Sequence, residues 1–345
     1  MAQINKPGLH FNTLLWTGND ATSRGITGAG FQPDWVWIKA RAGGDSTQSH
    51  ILNDAVRGAG KFLYSDSNDA ESTDTNRLTS FNADGFTLGS NNSTNGGGTT
   101  YVSWNWKAGN SAGSSNSDGS INSTVSVNTT SGFSIVSWTG SGANATIGHG
   151  LGSTPQCIIV KNRSDADNWV VYHQGLGNTD GMYLNTSDST VGTNTFWNNT
   201  TPTTSVFSVG THNRVNGSSN NMIAYCFANK KGFSRFGTYE GNGNADGTFV
   251  YTGFRPAFVI QRQTNNTRDW TMIDSKRSTS NVMDDRLVPN ENAAEVTNND
   301  TDFLSNGFKN RGTQTNTNES GGSYIYFAWA ENPLVGTNNV PGVAR

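Results

Sequence analysis

Short runs of Val, Ile, Trp, Phe, Tyr and Thr recur along this chain, separated by stretches of Gly, Asn, Ser and Asp. Helical periodicity is almost absent, and side chains in such runs alternate between two faces. Asn290 to Val296 has the composition for a turn or two of helix, but its context reads as a loop. The pattern predicts an all-β protein of many short strands joined by long turns.

The runs repeat. An aromatic residue is followed 17 positions later by a proline three times: Trp16 to Pro33, Trp138 to Pro155 and Tyr239 to Pro256. Each aromatic opens a similar phrase, Trp16-Thr-Gly-Asn, Trp138-Thr-Gly-Ser and Tyr239-Glu-Gly-Asn. Each proline precedes a strand-like run with a cation six positions on, at Lys39, Lys161 and Arg262. Phe86, Phe207 and Phe308 follow their prolines by 53, 52 and 52 residues. The copies close on Tyr101-Val-Ser-Trp-Asn-Trp106, Met222-Ile-Ala-Tyr-Cys-Phe227 and Tyr324-Ile-Tyr-Phe-Ala-Trp329. Offsets this consistent mark internal triplication.

The repeat predicts a first module over residues 1–108, a linker over 109–130, a second module over 131–235, a third over 236–335 and a tail over 336–345. The linker is rich in Gly, Ser, Asn and Thr and reads as flexible. Modules two and three are joined directly by Lys230-Lys-Gly-Phe-Ser-Arg-Phe236, so rigid packing is expected there.

Comparing the copies phase by phase decides which residues are core. One phase of the post-proline strand carries Trp35 and Trp37, then Cys157 and Ile159, then Phe258 and Ile260. One phase of the closing strand carries Trp104 and Trp106, then Tyr225 and Phe227, then Phe327 and Trp329. These positions stay apolar while their shapes change, which is how core residues behave. Cys and Ile cannot stack on a sugar, so the tryptophans are expected to fill sandwich interiors rather than form a sugar platform. Each module of about 100 residues suits a two-sheet sandwich of jelly-roll or lectin-like type.

Composition narrows the function classes. Hydrophobic residues make up 33% and charged residues 14%, yet 10 Trp, 17 Phe and 9 Tyr set the chain apart from disordered sequences. A net charge of −3 without a Lys/Arg block argues against nucleic acid. No apolar run approaches the ~20 residues of a spanning helix, so membrane insertion is not expected. Met1-Ala-Gln-Ile-Asn-Lys-Pro7 lacks the apolar stretch of a secretory signal, which predicts synthesis and folding in a cytoplasm. Cys157 and Cys226 do not make a disulfide framework and read as buried free thiols.

No catalytic, cofactor-binding or metal site is predicted. His10, His50, His149, His173 and His212 lack ligand spacing and do not coincide between modules. A nucleophilic serine elbow needs a following helix, which the pattern does not provide. Asp66, Asp69 and Glu71 in the first module, and Asp284, Asp285, Glu291 and Glu295 in the third, are the candidate carboxylates for glycoside hydrolysis or calcium. The second module offers little beyond Asp188, and all these acids are read as solvated turn formers.

Trp169-Val-Val-Tyr-His173, Gly253-Phe-Arg-Pro256 and Tyr324-Ile-Tyr-Phe-Ala-Trp-Ala-Glu-Asn-Pro333 resemble repeated modules of tail-fibre and other virion proteins of tailed phages, marine ones especially. The resemblance runs from about Phe11 to Pro333 and departs in the first copy, where Ser49-His-Ile-Leu-Asn-Asp54 replaces the Trp-led strand. It implies concanavalin-like sandwiches in a non-enzymatic virion surface protein, made in a host cytoplasm and meeting a host glycan or protein receptor through sandwich loops. It also implies partners among other virion proteins and copies of itself, in a homo-oligomer that fibres commonly build as a trimer. Head decoration, filament building and polysaccharide depolymerisation are the alternatives.

Overall fold

The computed structural model describes residues 4–335. The predicted tail over 336–345 lies outside the described residues. The protein is all-β, and its ladders are antiparallel.

Each copy folds into a main sheet and a second sheet facing it, the second being the smaller in the first two copies and of equal strand number in the third. In the first, the main sheet runs 11–17, 100–106, 35–42, 51–54, 61–64 and 72–73 in spatial order, and the small sheet runs 24–27, 85–88 and 78–82. The opening strand therefore pairs with the closing strand, and the closing strand pairs with the post-proline strand. The same order returns in 133–139, 221–227, 157–162 and 170–173, and in 234–240, 323–333, 254–263 and 271–274.

The repeated aromatic-x-Gly-Asn phrase has a local cause. Each copy makes a single helical turn before its closing strand, at Asn92–Asn95, Asn213–Asn216 and Thr315–Asn318. Each turn ends on a buried asparagine, Asn95, Asn216 or Asn318, whose Oδ1 accepts the main-chain N–H of Asn19, Ser141 or Asn242. The phrase glycine lies flat against the turn. A Cβ on Gly18, Gly140 or Gly241 would stand 2.0, 2.2 or 2.3 Å from a main-chain carbonyl oxygen. Asn290 to Val296 is loop leading into a strand, as its context predicts.

The expectation of a flexible linker is corrected. Ser114–Asn116 and Ser123–Asn128 are strands that extend the second main sheet by pairing with each other and with 133–139. Ser, Thr and Val fill most of the ladder positions, and the glycines lie in the turns between them.

The location of the core is also corrected. Trp35 and Trp104 are buried, at 1% and 0% exposure, but they do not fill their own sandwich. The other phase does that. Val36, Ile38, Ala40 and Tyr101 meet Ile26, Phe86 and Leu88 inside the first module, and equivalent clusters fill the second and third. The phase singled out by sequence points the opposite way, into one core shared by all three main sheets. Trp35 lies 4.2 Å from Tyr225 of the second module, and Trp104 lies 5.0 Å from Phe258 of the third, centroid to centroid. Both faces of each main sheet are thus covered, which explains why both phases of these strands are apolar.

The modules close into a ring. Glu71 N–H donates to Arg163 O at 2.9 Å, Thr190 N–H to Thr264 O at 3.0 Å, and Glu295 N–H to Arg41 O at 2.9 Å. These bonds join module one to two, two to three, and three to one. The post-proline cations bind the same interfaces from the other side. Lys161 Nζ donates to Asn68 O at 3.1 Å, Lys39 Nζ to Asn292 O at 3.2 Å, and the Arg262 guanidinium to Asp188 O. Trp169 Nε1 donates to Tyr64 O at 2.8 Å and Trp270 Nε1 to Tyr183 O at 2.9 Å. In the first copy His50 takes the tryptophan's place and faces the Val288 main chain without an aligned bond. The result is a pseudo-threefold trimer within one chain.

Candidate functional site

The carboxylates do not converge on a reaction centre. Glu71 and Glu295, expected in solvent, are tied into the module interfaces. Arg163 grips Glu71 through two nitrogens at 2.8 Å, and Arg41 and Arg277 grip Glu295 at 2.6 and 2.7 Å. Burial opposes the charge on both carboxyls, but the guanidiniums outweigh it and hold them below the usual carboxylate range. Behind them Arg57 pairs with Asp54 and Arg277 with Asp274, fully buried. Tyr225 OH donates to Asp54 at 2.8 Å and Trp104 Nε1 to Asp274 at 3.1 Å, each across a module boundary.

Other candidates have contacts of their own. Asp66 accepts the His50 main-chain N–H at 2.9 Å, and Asp285 lies 4.0 Å from Arg41 beside Glu295. Asp188 contributes its main-chain carbonyl to Arg262. His50, His149 and His173 are buried, and His173 stacks on Phe327 of the third module at 5.4 Å. Among the described residues no group of three His, Cys, Asp or Glu side chains is arranged to hold a metal ion. Cys157 and Cys226 are free and buried, and burial pushes both thiols up.

A different feature stands out on the third module. Its second sheet has an edge strand, Phe249–Tyr251, paired with 307–310. Val250 points inward onto Phe308, while Phe249 and Tyr251 point out with 43% and 51% of their surface in water. The other copies supply an internal comparison. Ile26 opposite Phe86 and Ile147 opposite Phe207 hold the inward place, and their outward neighbours are Gly25 and Thr27, and Thr146 and Gly148. The fold needs only small residues at these outward positions. Two large rings there are a departure of the third copy from the repeat.

These rings line two adjoining hollows of about 720 and 340 Å³ that share Asn229, Arg235 and Tyr251. One end carries Lys230 and Lys231, the other carries Gln174, Thr238 and Phe249, and Arg235 stands where they join. The Arg235 guanidinium stands 5.9 Å from the centre of the Tyr251 ring and also meets Tyr326. Arg235 is likewise peculiar to the third copy, since the opening strands place Asn12 and Ser134 at its position. The turn that holds the lysines is tight. Phe233 and Ser234 N–H donate to Lys230 O at 2.9 and 3.0 Å, Gly232 takes φ +82°, and Phe233 and Phe236 anchor the segment in the shared core. Partial burial lowers the Lys230 pKa.

Sequence reasoning passed over Phe249 and Tyr251. The signal exists in the repeat, but Thr27, Gly148 and Tyr251 lie six, seven and five residues before their prolines, so only the strand register aligns them.

The chain thus folds as three sandwiches closed around one common core, with a basic aromatic groove on the last sandwich. The chain belongs to the DUF7483 family, described as a domain of unknown function, whose model matches residues 6–333. That span takes in all three modules. No curated protein and no solved structure matches the chain.

Proposed function

We propose that this protein is a non-enzymatic surface component of a phage virion, carried on a tail fibre, that holds a carbohydrate of the host surface in the groove of its third module. The observation that carries the reading is the pair of outward rings, Phe249 and Tyr251, at positions where the other two copies have Gly or Thr. An exposed ring beside polar donors suits the apolar face and hydroxyl rim of a pyranose. A body locked by a continuous core presents such a groove with little entropy to lose on binding. The placement on a virion follows the resemblance of the Trp169–His173 and Tyr324–Pro333 motifs to tail-fibre modules.

Binding of the purified protein to an array of bacterial surface polysaccharides tests the reading, with the Phe249→Ala/Tyr251→Ala double variant alongside. Retention of wild-type protein and at least a tenfold loss in the variant is the expected outcome. Immunogold labelling of intact particles is expected to decorate the fibres. Gold confined to the head would replace this reading with head decoration, and release of reducing ends from a polysaccharide would replace it with depolymerisation.

A further inference from the structure

The three opening strands, 11–17, 133–139 and 234–240, take the same place in their sheets but differ at their outer edges. In the second copy another strand covers that edge. Residues 123–128 pair with it antiparallel, Thr124 opposite Ser137 and Ser126 opposite Ile135, and Ile121 bridges on to Ile147 of the facing sheet. In the third copy side chains close it. Phe236 N–H donates to Asn229 Oδ1 at 2.8 Å, Gln174 Nε2 donates to Phe236 O, and Arg235 and Glu240 put charge on the strand.

The first copy leaves the middle of this edge unguarded. Phe11–Thr17 ends its sheet, and its ladder to the closing strand runs without a bulge. Its residues, Phe-Asn-Thr-Leu-Leu-Trp-Thr, include no charge and no proline. The Thr13 N–H leaves the ladder for Asn12 Oδ1 at 3.0 Å, and Arg24 takes Thr17 O. Main-chain groups of an antiparallel strand alternate in direction, so those of Leu15, two residues beyond Thr13, also face outward. Among the described residues no loop or side chain bonds them. The Leu15 side chain is 43% exposed, where the other copies place Ser137 and Thr238. A neutral edge with an exposed leucine at its centre lacks the devices that keep strands from pairing.

The strand's own chemistry selects what covers it. The second copy shows that an antiparallel strand fits this edge. Laid antiparallel about a twofold axis at Leu15, residues 11–17 complement themselves. Leu15 then meets Leu15 of the second copy and Thr13 meets Thr17, with no like charges opposed. We infer that two copies of this chain join edge to edge through Phe11–Thr17, forming a twofold dimer whose first main sheets run on as one. The strand shares no residue with the groove of the third module, so the dimer carries two grooves, and the inference stands apart from the carbohydrate reading.

The test is sedimentation equilibrium of the full chain over a concentration series, with a cross-linking arm. Wild type is expected to reach twice the chain mass. Leu15→Lys opposes two like charges at the axis and is expected to raise the dissociation constant about tenfold or more. Leu15→Cys is expected to give a covalent dimer with a short bismaleimide, since Cys157 and Cys226 are buried. Thr79→Cys, exposed on the far strand of the facing sheet, is expected to give none. The Phe249→Ala/Tyr251→Ala variant is expected to remain a dimer. A monomer throughout the series, a trimer, or a dimer that Leu15→Lys leaves unchanged overturns the inference. So does a dimer lost in the double ring variant, or a Leu15→Cys protein that does not cross-link. Circular dichroism of each variant separates loss of pairing from loss of the fold.

Discussion

At the residue scale, single side chains hold the three copies together because each has one geometry available. Gly140 lies against a carbonyl oxygen that a Cβ would approach to 2.2 Å, with main chain on both sides of the contact. Gly140→Ala is therefore expected to cost about 2 kcal/mol or more in urea denaturation, the usual cost of forced overpacking. Trp104→Ala is expected to cost about 3–5 kcal/mol by the same measurement, since it opens a cavity in the shared core. It also leaves the buried Asp274 oxygen without its indole donor. That Trp104 is buried was legible in the sequence, because Tyr225 and Phe327 keep the position apolar in the other copies. That its nitrogen reaches a carboxylate 170 residues away in another module was not, since periodicity carries no information on long-range partners.

At the element scale, each post-proline strand is buried on both faces and carries a cation six positions beyond the proline. Burial lowers the amines of Lys39 and Lys161 to about 8, opposed by nearby acids, from an ordinary value of 10.5. A lysine whose folded pKa is depressed weighs against folding while it is charged, and that penalty is full below pH 8. Between pH 8 and 10.5 the unfolded chain binds more protons than the folded one, so these lysines make stability rise with pH. Lys161→Met is expected to reduce the slope of unfolding free energy against pH from 8 to 10, by up to about 1.4 kcal/mol per pH unit. Parallel slopes in variant and wild type would refute the assignment. The spacing of six from the proline placed this cation in the sequence. Its reach into a neighbouring module's loop depends on tertiary packing, and so does the conversion of residues 114–128 from expected linker to paired strands.

At the scale of the whole molecule, the ring of equivalent contacts makes the three modules interdependent. Their largest hydrophobic cluster contains residues of all three, and each module binds both others through main-chain bonds. Calorimetry is expected to show a single unfolding transition, with calorimetric and van't Hoff enthalpies in agreement. Two or three resolved transitions would mean that the modules melt as separate beads. The outward aromatic pair on the third copy breaks the pseudo-symmetry, giving a threefold body one face unlike the other two.

The triplication, the β class and the buried phases were determined by sequence alone, because strand period and repeat spacing are local properties of the chain. Only the tertiary structure decided which face of each main sheet meets its own sandwich and which meets its neighbours. Both faces lose water, so both phases are apolar, and hydrophobic pattern cannot tell two dry environments apart.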